Sequence, residues 1–303
     1  MKIAISLGLL VLVLRQVGWQ QTWQSIQGAT LHYLTAALAL ALISIVVRAY
    51  RWKTLLDALG MSILLPRLAV LYFVGAFFSN FLPTGVGGDV VRVYELARQS
   101  DRPAEAIGTV LVDRATGLLI LFLMALVSLI FSYRLVTRQI AVAIVLLALV
   151  GWGGLVLVIK RDWLEKWGFL RFIARMRQLE DVYEAVYACG LKALGRALAV
   201  SFVLNVLLIV MNYLIALSLG VRISLWYFLL FIPIISFLLA LPVSLSGLGV
   251  REGGYVYLFS QAGVAAPLAL TMSLVIAAFN LIIGFIGGIL YALEGVRGLR
   301  RDG

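Results

Sequence analysis

The sequence predicts an all-α, multi-pass membrane protein, on three observations: a large apolar excess, long uncharged runs, and basic residues confined to the segments between them. Of 303 residues, 63% are hydrophobic and 13% charged, with a mean hydropathy of +1.06. Soluble domains carry roughly 45–50% apolar and about 25% charged residues. Several runs supply the about 20 apolar residues a helix needs to cross a hydrocarbon layer ~30 Å thick. Lys and Arg number 25 against 14 acids, for a net charge of +11. That surplus falls between the apolar runs, where membrane topology accounts for it without nucleic acid as a partner.

The elements follow in chain order. Met1–Leu14 is a short apolar stretch with one Lys and no small-x-small cleavage pattern after it, so it reads as a short first helix rather than a signal peptide. Arg15, Gln16, Gly18 and Trp19 form its interfacial border. Further spans are expected at about Leu31–Val47, Ile107–Phe131, Ile140–Ile159, Ala197–Leu219 and Leu268–Tyr291, about six spanning helices in all. Two more apolar stretches, Leu68–Leu82 and Trp226–Leu241, are interrupted by Pro and Gly.

Lys160, Arg161, Lys166, Arg171, Arg175, Arg177, Lys192 and Arg196 share one connection, which the positive-inside rule assigns to the cytoplasm. From that frame Arg48, Arg51, Lys53, Arg67, Arg92, Arg98, Arg102, Arg297, Arg300 and Arg301 are also cytoplasmic, as are both termini. Arg15, Arg134, Arg138, Arg222 and Arg251 lie on the outer face. The count closes only if each interrupted stretch leaves the membrane on the side it entered. The expectation is therefore a single transmembrane domain over 1–303, with re-entrant hairpins near 68–98 and 226–262. Residues 20–135 form the first half and 197–296 the second. The connection 160–196 repeats Trp163, Trp167, Leu170, Ile173, Met176, Leu179, Tyr183 and Val186 at helical spacing, the pattern of an amphipathic surface helix.

The hairpin tips resemble each other. Asn80 to Arg92 reads NFLPTGVGGDVVR and Leu239 to Arg251 reads LALPVSLSGLGVR, so each has Leu-Pro, small residues, and an Arg nine positions after Pro. Gly88 pairs with Gly247, Val91 with Val250 and Arg92 with Arg251, and helix–hairpin–helix recurs with reversed sidedness, the mark of an inverted-topology repeat. Pro83, Gly85, Gly87 and Gly88, with Pro242, Gly247 and Gly249, break the backbone where hydrocarbon cannot satisfy it, so the tips face protein or water. The half-helices that start near Asp89 and Gly249 present amide N–H groups that suit an anion.

Charges inside apolar runs mark the candidate site. Asp113 and Arg114 would each cost roughly 2.5–3.5 kcal/mol at a helix centre, and being about 100° apart they reach toward different neighbours. Arg92, Arg114 and Arg251 are candidates to line a site for an anionic group, with Asp113 and Glu252 orienting them or carrying protons; Asn80 is a polar candidate beside them. An ion-pair network that only holds helices together is the competing reading. The lone Cys189 and lone His32 provide no metal cluster and no disulfide, and no nucleotide fingerprint or nucleophile elbow is present. No cofactor and no enzymatic centre is expected, and Cys189 reads as a packing residue.

Asn80–Arg98, Val110–Leu118 (VLVDRATGL) and Leu241–Phe259 (LPVSLSGLGVREGGYVYLF) resemble the lysylphosphatidylglycerol synthase transmembrane region family, also described as flippase-like. In the multiple peptide resistance factor a related membrane portion is joined to a soluble aminoacyl-transfer domain. This chain ends at Gly303 without one, so the resemblance implies lipid translocation without lipid synthesis, with Arg92, Asp113, Arg114, Arg251 and Glu252 as motif positions. It implies a prokaryotic cytoplasmic membrane and membrane lipids as partners: an anionic phospholipid, an aminoacyl-lipid or a polyprenyl phosphate. Translocation would run downhill or be coupled to ions. Two rival readings stand beside it: a secondary transporter of a small anionic solute, and a scaffold that recruits an envelope enzyme through the amphipathic connection. Self-association is compatible with all three.

Overall fold

A computed structural model describes residues 19–81, 87–100, 102–159, 183–184, 186–240 and 247–299. Among these residues the chain is all helix: α1 (Trp19–Gln27), α2 (Leu31–Ala58), α3 (Leu65–Phe81), α4 (Gly87–Ser100), α5 (Pro103–Ser132), α6 (Arg138–Ile159), α7 (Gly190–Ser218), α8 (Leu225–Ala240), α9 (Val250–Gln261) and α10 (Ala266–Leu299). Five of them, α2, α5, α6, α7 and α10, are long and apolar enough to cross a membrane. They correspond to the five predicted spans after the first, whose segment Met1–Leu14 lies outside the described residues. Two boundaries differ. α2 continues eleven residues past Val47 to Ala58, and α7 begins at Gly190, so Lys192 and Arg196 belong to a long helix rather than to the connection. The rest of that connection, 160–182, is outside the described residues.

The two halves repeat their local chemistry. α2 and α7 both end in a glycine with φ of 74°, Gly60 and Gly220. In the first, Met61 N–H donates to Leu56 O (2.9 Å) and Gly60 N–H to Asp57 O (3.1 Å). In the second, Val221 N–H donates to Ala216 O (2.9 Å) and Gly220 N–H to Leu217 O (3.1 Å). Both are Schellman caps, which require the left-handed backbone that glycine adopts without strain. The short apolar helices α3 and α8 follow, then α4 and α9, then the long α5 and α10. Pro83, Gly85 and Pro242 fall between the described segments.

The halves run in opposite directions where they meet. Thr30, before α2, donates its N–H to Ser218 O at the end of α7 (2.8 Å), whereas Arg51, near the far end of α2, reaches Ser201 in the first half of α7. α2 and α7 are therefore antiparallel, and a twofold operation relating them has its axis across the helices. The same operation appears in the reciprocal packing of α3 against α10 and of α8 against α5. Asn80 Nδ2 donates to Asn280 O (3.0 Å), and a Cβ on Gly284, Gly287 or Gly288 would press on Asn80, on the Phe73 carbonyl or on the Phe77 ring. Phe237 meets Phe122 and Trp226 stacks on Phe131 in the other pair. Contacts α3–α4, α4–α5, α5–α8, α8–α9, α9–α10 and α10–α3 close a ring. α2 and α7 pack together and each joins that ring.

Glycine positions in membrane helices let backbones approach closely. Gly287→Val should overpack α10 against α3, costing about 1–3 kcal/mol and lowering the unfolding midpoint in detergent. Gly153→Ala, where an added Cβ meets nothing within 4 Å, should leave the midpoint unchanged.

Candidate functional site

α4 starts beside α3 because neither helix carries a side chain where they cross. A Cβ on Gly88 would overlap the Gly75 carbonyl, and Gly88 N–H donates to Ser79 Oγ (3.0 Å). Glycine at 88 thus serves close approach. That approach turns Arg92, one turn further on, into the bundle, where it is 3% exposed. Its guanidinium lies 4.0 Å from the Tyr72 ring centroid and 4.9 Å from that of Trp52, and those two rings meet edge to face at 5.9 Å. Trp52 is held by its Nε1–H donating to Thr109 Oγ1 (3.1 Å).

Asp113, 2% exposed, is the hub. Arg51 Nε donates to its Oδ1 (2.6 Å) and Tyr72 Oη to its Oδ2 (2.6 Å). Arg92 Nη1 stands 3.6 Å from Oδ2. That separation is an ion pair but too long for a hydrogen bond, and Nη1 is the buried side-chain polar atom left without a hydrogen bond among the described residues. Arg51 also donates through Nη1 to Ser201 Oγ (2.9 Å), and Asn205 Nδ2 donates to Gly117 O (2.9 Å), so α7 of the second half helps hold the cluster. Arg114 points elsewhere, to Asp89, which also pairs with Arg92. Arg48, exposed one turn before Arg51, lies within electrostatic reach of Arg51, Tyr72, Asp113 and Arg92.

The second half builds a different arrangement from equivalent positions. Gly247 and Gly249 have φ of 79° and 81°, and Arg251 follows them on α9. Arg251 donates through Nη2 to Glu252 Oε1 (2.7 Å) and through Nε to Ser273 Oγ (3.1 Å). Glu252, fully buried, accepts the Gly249 N–H on Oε2 (2.6 Å), closing the start of α9. Ser273 stands 160 residues after Asp113, the offset that also relates the two Schellman caps. The hub carboxylate of the first half is thus a hydroxyl in the second, and the counter-charge to Arg251 sits beside it on the same helix. One helix turn along α9, the Tyr255 hydroxyl donates to Asn212 Oδ1.

The expected site residues are therefore divided. Arg92, Asp113 and Arg114 belong to one cluster, Arg251 and Glu252 to another, and Asn80 joins α3 to α10. Sequence reasoning did not select Arg51, Tyr72, Asp89, Ser201 or Ser273. Arg51 was expected in a cytoplasmic connection, but α2 is still helical there and buries it at 6% exposure. The first cluster counts Arg48, Arg51, Arg92 and Arg114 against Asp89 and Asp113, a cationic surplus, whereas Arg251 and Glu252 balance. Among the described residues no group of His, Cys, Asp and Glu could hold a metal ion.

Removing one partner of a buried ion pair strands the other. Asp113→Ala should cost about 3–5 kcal/mol, read as a large loss of unfolding midpoint. Asp57→Ala, which breaks the exposed Lys53–Asp57 pair (2.7 Å), should cost under ~1 kcal/mol.

A family model described as "Lysylphosphatidylglycerol synthase TM region" matches residues 1–288. The chain is 23% identical over 313 residues to a UPF0104 membrane protein of Methanothermobacter thermautotrophicus, covering 91% of this chain and 88% of that one. It is also 23% identical over 160 residues to UPF0104 membrane protein PH1989 of Pyrococcus horikoshii, covering 52% of this chain and 46% of that protein's length. No solved structure matches.

Proposed function

The chain belongs to the lysylphosphatidylglycerol synthase TM region family and is a multi-pass integral membrane protein, and from these premises we propose that it translocates lipids with an anionic, phosphate-bearing headgroup. The carrying observation is Arg92: a buried guanidinium with an unmet donor, in a cluster where arginines outnumber carboxylates. An uncompensated positive charge inside a membrane is costly, and an anionic headgroup relieves it. Asp113 then acts as the resident counter-ion, holding Arg51 and Arg92 until a phosphate competes for them. An aminoacyl-lipid bearing extra positive charge fits this cluster less well than a phospholipid or polyprenyl phosphate.

Access follows from position. Asp113 lies ten residues into α5, ~15 Å from Pro103 at 1.5 Å per residue. The C-terminus of α2 lies at the same end, where Arg102 Nη1 donates to Leu59 O (3.2 Å). So does the start of α7, since Leu55 packs with Ala193 and Ala197. This end carries Lys53, Arg67, Arg98, Arg102, Lys192 and Arg196, and by the positive-inside rule it is cytoplasmic. In this reading both termini are cytoplasmic, the membrane is the prokaryotic inner membrane, and α3–α4 and α8–α9 are re-entrant hairpins of an inverted repeat. The two hairpins alternate access to a headgroup whose tails remain in lipid.

The test is headgroup accessibility in proteoliposomes with labelled phosphatidylglycerol, polyprenyl phosphate and phosphatidylcholine. Wild-type protein should move the first two faster than protein-free vesicles do. Arg92→Gln should cut that rate at least tenfold, and Arg48→Gln, an exposed position that spares the buried network, should cut it measurably. Equal rates in wild type and both variants, or no lipid moved at all, would refute the proposal.

A further inference from the structure

A cavity of about 410 Å³ opens between α2 and α7, lined in part by Tyr50, Lys53, Thr54, Asp57, Lys192 and Arg196. It is separate from the Arg92 cluster. Positions 50, 53, 54 and 57 share one face of α2, whereas Arg48, Arg51, Trp52 and Leu55 share the nearly opposite one, as 3.6 residues per turn requires. Within the cavity Asp57 is occupied by Lys53, whose Nζ donates to both carboxylate oxygens at 2.7 Å. Lys192 and Arg196 are exposed, form no ion pair among the described residues, and stand four residues apart on α7. Like charges at that spacing repel. The cavity thus holds two cations with no counter-charge of their own.

We propose that this cavity is a second lipid site, distinct from the translocation site, that binds the phosphate of an acidic phospholipid from the adjacent leaflet. Its rim argues for a lipid over a soluble anion. Tyr50, Leu191 and Tyr187 are 49%, 68% and 46% exposed around it, an apolar and aromatic border of the kind found at headgroup level. Basic pockets between membrane helices at the cytoplasmic surface suit acidic headgroups. The phosphate would meet Lys192 and Arg196 from the second half and, by drawing on the Lys53–Asp57 pair, the first half as well. A bound lipid therefore braces the α2–α7 contact through which the halves meet.

The experiment is native mass spectrometry with thermal unfolding of the purified full chain, titrated with phosphatidylglycerol, phosphatidylcholine or inorganic phosphate. Phosphatidylglycerol should bind and raise the unfolding midpoint. The double variant Lys192→Gln/Arg196→Gln should weaken that binding at least fivefold, while Arg92→Gln should retain it, which separates this site from the translocation site. Lys53→Gln supplies a second, independent variant with the same expected direction. Undiminished phosphatidylglycerol binding in both cavity variants overturns the site. Stabilisation by inorganic phosphate equal to that by phosphatidylglycerol overturns the lipid assignment in favour of a soluble anion.

Discussion

The carboxylate of Asp113 is the constraint on which the first half depends. It lies ~15 Å inside an apolar helix, where an ion cannot persist without partners, and it collects them from three other helices: Arg51 from α2, Tyr72 from α3 and Arg92 from α4. Each partner then needs its own support. Arg51 draws in Ser201 of α7, Arg92 draws in Asp89 and the aromatic faces of Tyr72 and Trp52, and Trp52 draws in Thr109. One buried charge thereby fixes the mutual register of most of the helices around it. Dispersion between apolar side chains could hold the same helices together, but it would not select one register so sharply in a lipid solvent that competes for apolar contact.

The two halves show how one repeat can be put to two uses. Both carry an arginine on the short helix after the Pro/Gly break, and both place a polar residue opposite it on the long helix that follows. In the second half that residue is Ser273, and the acid has moved next to the arginine as Glu252, where it also closes the first turn of α9. The pair is self-contained and neutral. In the first half the acid stays on the neighbouring helix, is shared by two arginines, and leaves one guanidinium nitrogen without a hydrogen bond. Position is common to the halves; electrostatic completeness is not, and an incomplete cluster is the one with something to offer a ligand.

Much of this was legible in the sequence. The five long helices, the Pro/Gly interruptions, and Arg92, Asp113 and Arg114 as charges in apolar surroundings all follow from hydropathy and spacing. Arg51 did not, because Arg48, Arg51 and Lys53 after an apolar run look like the charged border of a span. A signal was nonetheless present: Ala37, Ala41, Ile45, Ala49, Trp52 and Leu56 recur at helical spacing straight through that border, and all are buried. Following the period rather than the charges would have carried α2 to its end. Ser273 and Ser201 carry no such signal, since a serine in an apolar helix usually bonds its own backbone; only tertiary pairing reveals what they touch.

The mechanical units of the bundle are not its sequence halves. α3 is seated on α10 by three glycines that permit backbone contact, and α8 packs on α5, so the short helix of each half is fastened to the long helix of the other. Any exchange between two access states must carry α3 with α10 and α8 with α5, because separating either pair would expose close-packed backbone to lipid. The contacts left to change are those that close the ring within each half, α4 on α5 and α9 on α10, together with the antiparallel α2–α7 seam. The buried arginine clusters lie at these same contacts, Asp113 joining α4 to α5 and Ser273 joining α9 to α10. A headgroup that competes for Arg92 therefore acts on a joint that the packing leaves free to move, which ties the occupancy of the cluster to the conformation of the bundle.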